Sequence, residues 1–343
     1  MRLPDETSLK SYARFLFWTG GLGLAFLQAW SDRYAMNPDG VSYLDMADAY
    51  LRGDWGMAIN AQWSPMYSWL LSLAFYLFSP SPFWEFPVAH LVNFSVYIFA
   101  AACFEFLLGE IAVSNSATEL TGRETTGNLL PEWAWRVVAY ALFIWSSLEL
   151  ISLRVLAPDL LVAAFVYLAS GILLRIRRGD GRTVTFAVFG LVLGLGYLAK
   201  APMFILAFVF MAVSLVSAGS IRKLAPRVLV ALLVFFSLSA PFITAISLTK
   251  GRLTFGDSAR LNYAWFVNGV PRFAHWQGSD PEKGQPSHPT RKISTNPAIY
   301  EFAYPFKATY PPWYDPSYWY EGIRPRFDLK GQVTLLASVA PVW

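Results

Sequence analysis

Long apolar runs recur along this chain and leave few choices for its fold. A helix that crosses a membrane needs about 20 mostly apolar residues. Runs of roughly this length lie at 14–31, 87–108, 133–152, 159–175, 183–200, 202–219 and 228–248. One further run, 65–79, is apolar but shorter. The pattern predicts an all-α polytopic membrane protein.

The composition agrees with this class. The chain has 343 residues, of which 55% are hydrophobic and 15% are charged, whereas soluble domains carry about 25% charged residues. In a membrane protein the net charge of +4 indicates basic loops on one face rather than nucleic-acid binding. The single cysteine, Cys103, lies inside an apolar run, so no disulfide framework is expected.

Basic residues set the predicted orientation. Arg175, Arg177 and Arg178 follow one apolar run, and a second basic segment occupies 221–227. Cytoplasmic loops carry an excess of Lys and Arg, and both segments are cytoplasmic if the short run 65–79 does not cross. We therefore predict a multi-pass protein of the cell (inner) membrane with a cytoplasmic N-terminus. The predicted outward segments are 32–86, 153–158 and 249–331, and the polar region 110–132 is expected to be a cytoplasmic loop.

The predicted topology divides the chain into three regions. Residues 1–248 form the predicted transmembrane module, anchored by an uncleaved N-terminal run. Residues 249–331 form a long outer loop that is rich in aromatic residues and shows no clear helix pattern. Its Trp and Tyr side chains suit either sugar stacking or anchoring at the membrane interface. Residues 332–343 read as the start of a further transmembrane helix, which suggests that the chain is truncated.

Residues 37–55 gather four aspartates at the surface predicted to face outward. The spacing predicts an amphipathic helix lying along the membrane. Its apolar face would carry Val41, Leu44, Ala47 and Leu51, and its polar face Ser42, Asp45, Asp48 and Arg52. Asp45 and Asp48 are interpreted as part of a solvated face, with Asp48 paired to Arg52 four residues later.

Asp39 stands apart from these aspartates because it begins the predicted helix. Asn37 is expected to cap that helix, Pro38 suits its first turn, and Asp39 gains from the helix dipole. Pro158-Asp159 repeats the pattern at the start of another apolar run, also on the predicted outer side. A carboxylate at a bilayer edge is costly enough to suggest a function. The two helix starts therefore predict a cleft with paired acids.

Two cations accompany the second acid. Arg154 lies five residues before Asp159, and Lys200 ends an apolar run whose glycines permit close helix packing. Snorkelling to the lipid headgroups is the alternative for each cation, and for Lys200 it is weighed equally with function. Acids beside cations also suit a reaction in which a hydroxyl loses its proton while a phosphate leaves.

In order along the chain stand Asp39-x-x-x-Tyr43, then Gly53-Asp54-Trp55 and Ser64-Pro65-Met66-Tyr67, then "LRVLAPDLL" and "GLVLGLGYLAKAP". This series resembles the outer loops of GT-C fold glycosyltransferases. It is most similar to the family 39 type, the protein O-mannosyltransferase and aminoarabinose transferase relatives, and it covers roughly residues 10 to 210. The resemblance implies a GT-C-like helical bundle with an amphipathic helix in the first outer loop.

The resemblance also implies an activity. That family transfers a sugar from a polyprenyl-phosphate carrier to an acceptor hydroxyl of a lipid, glycan or protein at the outer face of the membrane. In it Asp39 matches the catalytic base and Asp159 the second catalytic acid, while Lys200 matches a contact to the carrier phosphate. Tyr43 and Arg154 are the accompanying candidates for substrate binding. A divalent cation, Mg²⁺ or Mn²⁺, held by Asp39 and Asp159, is left open.

Further candidates lie outside the matched region. Lys250, Arg252 and Arg260 are basic residues of the outer segment, and of these Arg260 is the candidate for an additional phosphate contact. The chain also departs from the family pattern. Ser64-Pro65 stands where Lys or His before a double proline is common, and "FPVAHLVNF" lacks the usual arginine. Within it, His90 is expected to be a packed or hydrogen-bonded helix residue rather than a ligand.

A transporter or a non-catalytic lipid-handling membrane protein is the alternative. A transporter usually places charges in the middle of the membrane, on broken helices in two related halves. In this chain the notable charges fall at the ends of apolar runs, and no repeated halves are visible. The sequence therefore favours the glycosyltransferase, whose partners would be the lipid-linked donor, the acceptor and membrane lipids.

Overall fold

The computed structural model describes residues 5–120, 130–217, 221–269, 290–295, 298–302 and 325–339, and it is predominantly helical. The helices are α1 (Glu6–Ser31), α2 (Pro38–Arg52), α3 (Trp55–Ala58), α4 (Pro65–Phe78), α5 (Glu85–Leu120), α6 (Glu132–Trp145), α7 (Asp159–Arg177), α8 (Thr183–Ala199), α9 (Met203–Ser217), α10 (Ile221–Lys250), α11 (Ser258–Phe266) and α12 (Leu329–Val339). A π-helical turn, Ser146–Leu150, continues α6. One antiparallel hairpin pairs β1 (Thr290–Thr295) with β2 (Ala298–Phe302). The predicted helical class is confirmed, with the hairpin as an addition.

Three of the described helices are long and apolar enough to cross a membrane. They are Glu85–Asn115 within α5, α7 and α10. Helices α4, α8 and α9 are apolar but shorter. The run 65–79, which the sequence singled out as short, forms the 14-residue helix α4. Each predicted apolar run thus falls on a helix, and three of these helices meet the length and composition needed to span.

The chain divides into two compact units. The first contains residues 1–59 and 64–245, and the second contains residues 60–63 and 246–343. The core of the first unit lies where α5 and α7 pack along each other and α8 packs against α7.

Glycines bring the helices of the first unit close together. A Cβ atom on Gly190 of α8 would lie 2.2 Å from the carbonyl oxygen of Ala231 in α10. A Cβ atom on Gly171 of α7 would lie 2.4 Å from the ring of Phe106 in α5. Small residues let helix backbones approach in this way where an apolar solvent supplies no driving force. The close packing predicted for the glycine-rich α8 is confirmed.

Helix α2 is packed more completely than an amphipathic surface helix would be. The hydroxyl of Ser68 on α4 donates to the carbonyl of Tyr43 at 3.0 Å, and Ser72 donates to the carbonyl of Ala47 at 2.9 Å. Ser42 is buried although the spacing placed it on the polar face, and Leu51 is exposed although the spacing placed it on the apolar face. The predicted helix is confirmed, while the predicted faces are partly wrong because α4 covers one side of it.

The basic residues at the end of α7 hold a buried acid. Glu110 of α5 has a side chain only 8% exposed, and its carboxylate pairs with Arg175 at 2.5 Å and with Arg178. The expectation of a loop over 110–132 is wrong in its first part, since α5 continues to Leu120. Two arginines compensate the buried charge, and this permits the helix to continue past it.

The second unit contains α11 and α12. The hydroxyl of Tyr263 on α11 accepts hydrogen bonds from the backbone N–H of Asp328 at 3.0 Å and from the side chain of Gln332 at 2.8 Å. The expectation that 249–331 lacks helices is therefore wrong at Ser258–Phe266, where the pattern is too short to stand out. The aromatic run 303–320 lies outside the described residues.

The contact at Gly190 yields a test of this packing. Gly190→Ala places a methyl group against a backbone oxygen that cannot rotate away, so we expect a loss of about 1–3 kcal/mol in the free energy of unfolding. Gly23→Ala on α1 is the control, because its Cβ atom would meet open space and alanine is the better helix former. Thermal unfolding of both variants in detergent measures the difference. Equal melting temperatures would show that α8 and α10 do not meet as described.

Candidate functional site

Two aspartates begin two helices of the first unit. Asp39 lies in the first turn of α2, directly after Pro38 at its first position. Asp159 is the first residue of α7 and follows Pro158. Proline suits the first turn because the missing N–H has no acceptor there, and the positive end of the helix dipole stabilises a carboxylate at that place.

Lys200 lies beside the second of these acids. It follows the last residue of α8 in an extended conformation, and its backbone N–H donates to the carbonyl of Gly196 at 3.0 Å. Its ammonium group forms an ion pair with the carboxylate of Asp159. The two side chains are 40% and 47% exposed, so the pair contributes little to stability. The ammonium group stays accessible to an incoming anion.

Asp39 is half-buried and interacts with both charges. Burial raises the pKa of its carboxyl group, the Lys200 ammonium opposes this, and the Asp159 carboxylate adds to it. Among the described residues, none donates a hydrogen bond or forms an ion pair to this carboxylate. The structure thus brings Asp39, Asp159 and Lys200 within electrostatic reach of one another and leaves Asp39 without a hydrogen-bond donor.

Tyr43 lies one helical turn after Asp39 and is buried. Its ring meets that of Tyr67 edge to face, with centroids 5.1 Å apart. Burial raises the pKa of its hydroxyl well above the ordinary value, and the carboxylates of Asp159 and Asp39 raise it further. The hydroxyl therefore stays neutral beside the acids.

The connector 151–158 leads from the π-helical turn to Asp159, and side chains from other segments bind its backbone. Asn37 accepts from the N–H of Leu156 at 2.9 Å. Gln28 of α1 accepts from the N–H of Leu153 at 3.0 Å. Asn93 of α5 donates to the carbonyls of Leu153 and Val155, both at 3.0 Å. Asp159 is positioned by these bonds.

Asn37 occupies the N-cap position of α2, as predicted, but the side-chain capping bond expected of it is not made. Its side chain makes no hydrogen bond to the first turn of that helix, because its amide is turned to Leu156. A Cβ atom on Gly40 would lie 2.8 Å from the Cβ atom of Leu156, so only glycine permits this approach. Gln28 and Asn93 were not singled out as site residues by the sequence, where their one signal is an amide within an apolar run.

His90 of α5 also contacts this connector. It is 1% exposed, and its Nδ1 lies 3.1 Å from the carbonyl oxygen of Leu153. Its Nε2 lies 3.1 Å from the carbonyl oxygen of Ala35, in the segment that leads to Asp39. The expectation of a hydrogen-bonded helix residue is confirmed.

Two further candidates, Arg154 and Arg260, make local backbone hydrogen bonds. Arg154 is exposed on the connector, and its backbone N–H donates to the hydroxyl of Ser152 at 3.2 Å. Arg260 is exposed on α11 of the second unit, where its backbone N–H donates to the carbonyl of Asp257 at 3.0 Å. Their proposed contacts to phosphate stay predictions.

The part of the chain that the structure describes contains no group of three or more His, Cys, Asp or Glu side chains arranged to hold a metal ion. Asp39 and Asp159 supply two carboxylates. A divalent cation bound by them needs its remaining ligands from a phosphate and from water, as Mg²⁺ commonly takes them.

An apolar groove of about 550 Å³ lies in the first unit. It is formed by side chains of α4, α5, α7 and α8, among them Met66, Leu70, Phe165 and Leu195. Leu161, in the first turn of α7 together with Asp159, also lines it. The groove therefore extends along the helices from the turn that carries one of the acids.

Comparison with known proteins gives no match to a family model, to a curated protein or to a solved structure. The resemblance to GT-C glycosyltransferases therefore rests on the sequence motifs alone.

Proposed function

We propose that this protein is an integral membrane glycosyltransferase that moves a sugar from a polyprenyl-phosphate carrier to an acceptor hydroxyl. One observation carries the proposal. Asp39 is a half-buried carboxylate without a hydrogen-bond donor among the described residues, and it interacts with the Lys200–Asp159 pair. Structural carboxylates are normally paired, so an accessible base next to an accessible cation indicates chemistry.

In the proposed reaction Asp39 accepts the proton of the acceptor hydroxyl while that oxygen bonds to the anomeric carbon of the sugar. The bond between the anomeric carbon and the phosphate oxygen breaks, and its electron pair leaves with the phosphate. The products are the glycosylated acceptor, with inverted configuration, and polyprenyl phosphate. The raised pKa of Asp39 makes it a better base, and such help is typically worth about 10²–10⁴-fold in rate.

Lys200 and Asp159 have complementary roles in this proposal. The ammonium group of Lys200 stabilises the negative charge that develops on the leaving phosphate, where a low dielectric strengthens the interaction. Asp159 holds Lys200 until the donor arrives, and it then orients the acceptor or the sugar. Tyr43 stays the accompanying candidate for substrate binding.

The apolar groove supports a lipid-linked donor rather than a soluble nucleotide sugar. Its walls are almost entirely hydrocarbon, and it reaches the turn that bears Asp159. In this proposal the groove holds the polyprenyl chain of the donor. Water-soluble donors would gain nothing from such a surface, because apolar burial is the interaction that it offers.

We also propose that the chain is polytopic in the cell (inner) membrane, with its N-terminus in the cytoplasm and the acids at the outer face. The concentration of basic residues in 175–182 and 221–227 supports this orientation. The opposite end of the first unit carries Asp39, Asp159 and Lys200.

The orientation is tested by labelling single cysteines in intact cells, after Cys103→Ser removes the natural thiol. Phe83→Cys, on the outer side, should react with a membrane-impermeant reagent. Arg177→Cys should react only after the membrane is opened. Protection at position 83 together with labelling at position 177 would reverse the proposed topology.

Transfer itself is tested with purified protein, radiolabelled polyprenyl-phosphate sugars and an acceptor extract. Asp39→Asn keeps the size of the side chain but loses the proton acceptor, so we expect transfer to fall by about 10²-fold or more with donor binding unchanged. Asp45→Asn, on the same helix, is the matched control and should transfer normally. Equal transfer by the two variants would exclude Asp39 as the base, and incorporation by none of the proteins would favour a transporter.

Asp39→Asn should at the same time stabilise the protein at neutral pH. Burial raises the folded-state pKa of Asp39, so its charge opposes folding above the unfolded value of about 3.9. The gain in melting temperature should be absent below that pH and should develop as the pH rises through the folded-state pKa. A variant that is less stable at pH 7 would show that Asp39 serves the start of its helix.

Lys200 is tested by donor binding. Lys200→Ala should weaken binding of the polyprenyl-phosphate sugar about tenfold, equivalent to about 1.4 kcal/mol. Lys200→Arg should retain part of the affinity, since the charge remains and the geometry changes. Arg177→Ala removes an exposed cation from the predicted cytoplasmic side and is the control. Undiminished affinity in Lys200→Ala would leave Lys200 as a snorkelling residue.

A further inference from the structure

A second apolar groove, of about 220 Å³, lies between the last turns of α1 and the first turns of α5. Its walls include Phe26, Ala29 and Trp30 of α1 and Pro87, Leu91 and Phe94 of α5. Among the described side chains that line it, Arg33 alone carries a charge, and it follows the end of α1 by two residues. The groove therefore combines hydrocarbon walls with one cation at the end where α1 stops.

Aromatic rings hold the Arg33 side chain in place. The centre of its guanidinium group lies 4.4 Å from the centre of the Trp30 ring and 5.0 Å from that of the Tyr34 ring. Nη1 donates to the carbonyl of Trp30 at 2.7 Å. A planar guanidinium stacks on aromatic faces through both its shape and its charge. The cation is therefore oriented before a ligand arrives.

The charge of Arg33 is not compensated within the part of the chain that the structure describes. A guanidinium has five N–H donors, and its described hydrogen bond goes to one backbone carbonyl. Asp32 and Glu85 are the nearby acids along the chain, and neither forms an ion pair with it. In contrast Arg52, in the same predicted outer segment, pairs with Asp48. Arg33 thus keeps donors for an anion that the described residues do not supply.

The rim of the groove has the composition of a membrane interface. Trp30, Tyr34 and Trp84 are exposed. The ring of Phe83 links the two sides of the rim, with centroids 5.4 Å from that of Tyr34 and 5.7 Å from that of Trp84. Trp and Tyr are enriched at the level of the lipid headgroups. In a membrane this rim would place Arg33 at the depth of the lipid phosphates, with the apolar walls beside the lipid tails.

We propose that this groove binds an anionic phospholipid, with an acyl chain against the apolar walls and its phosphate on Arg33. In a bilayer the walls need only accommodate a tail, and charge-assisted hydrogen bonds from a guanidinium supply the preference for the headgroup. A headgroup with net negative charge fits better than a zwitterionic one, which brings its own cation to compete with Arg33. The bound lipid contacts both α1 and α5 and therefore stabilises their packing.

The inference goes beyond the proposed glycosyl transfer, because this lipid is neither the donor nor the acceptor. The two grooves share only Val88 and Leu91 among their described lining residues. The groove proposed for the polyprenyl chain is formed with α4, α7 and α8, whereas the second groove is formed with α1. Binding of the donor should therefore be independent of Arg33.

Native mass spectrometry of the full chain in detergent tests the proposal, with phosphatidylglycerol and phosphatidylcholine of equal chain length as probes. The wild type should bind phosphatidylglycerol about tenfold more tightly, as expected for hydrogen bonds between charged groups. Arg33→Gln should lose this preference, and Arg33→Lys should keep part of it because the charge remains. Arg52→Gln is the matched control and should bind as the wild type does, since that cation already has a carboxylate partner.

Three further comparisons identify what the site recognises. Phosphatidylglycerol with six-carbon chains should bind more weakly than the long-chain lipid, and equal affinity would exclude the groove from the site. Inorganic phosphate should not displace the long-chain lipid, and displacement at equal concentration would show a site for free phosphate. Arg33→Gln should bind the polyprenyl-phosphate sugar as the wild type does, and weaker binding would assign Arg33 to the donor site.

The lipid preference is measured without sugar transfer, so the two proposals can fail separately. A preference for phosphatidylglycerol that depends on Arg33, in a protein that transfers no sugar, would reject the glycosyltransferase and leave the lipid site standing. Equal affinity of the wild type for both lipids, or a preference that survives in Arg33→Gln, would overturn the lipid site.

Discussion

Side chains that bind backbone atoms hold the irregular connector 151–158 between two helical stretches. Buried backbone groups need hydrogen-bond partners, and an apolar environment has no water to supply them. Gln28, Asn37, His90 and Asn93 provide the partners from three other segments of the chain. The start of α7, and with it the direction of Asp159, follows from these bonds. The position of Asp39 is coupled to them because Asn37 and Ala35 belong to the segment that leads into α2.

The carboxylates of the first unit fall into two kinds. Glu110 is buried and its oxygens are occupied by two arginines, which compensates its charge and makes it part of the packing. Asp39 is half-buried, and its neighbouring cation, Lys200, is paired to Asp159 instead. A structural acid is therefore saturated with donors, and the acid that we propose as the base is not. This contrast is the reason for proposing a function at the end of the helical unit that carries Asp39.

Much of the fold could be predicted because helices and their ends are local features. The apolar runs indicated the helices, and Pro-Asp pairs indicated the starts of α2 and α7. The juxtaposition of Asp39, Asp159 and Lys200 followed from placing three helix ends on one side of a membrane. Their catalytic roles remain predictions.

The prediction failed where a contact joins distant positions. Asn37 has the local pattern of a cap, but its partner Leu156 lies 119 positions away. Glu110 looked like the beginning of a polar loop because its arginines lie 65 and 68 positions later. No local periodicity carries such information. Ser42 shows the same limit, since a spacing rule cannot foresee that its side chain is buried.

The hydrogen bonds that hold the connector also determine which positions of the chain tolerate substitution. The connector is held through its own backbone N–H and carbonyl groups, and every amino acid except proline has both. Exposed positions such as Val155 can therefore drift in sequence while Asp159 keeps its place. Constraint falls instead on Gln28, Asn37, His90 and Asn93, which are scattered over α1, the segment before α2, and α5. In diverging homologues we expect these four to be retained or replaced together, long after the residues around Asp159 have ceased to resemble one another.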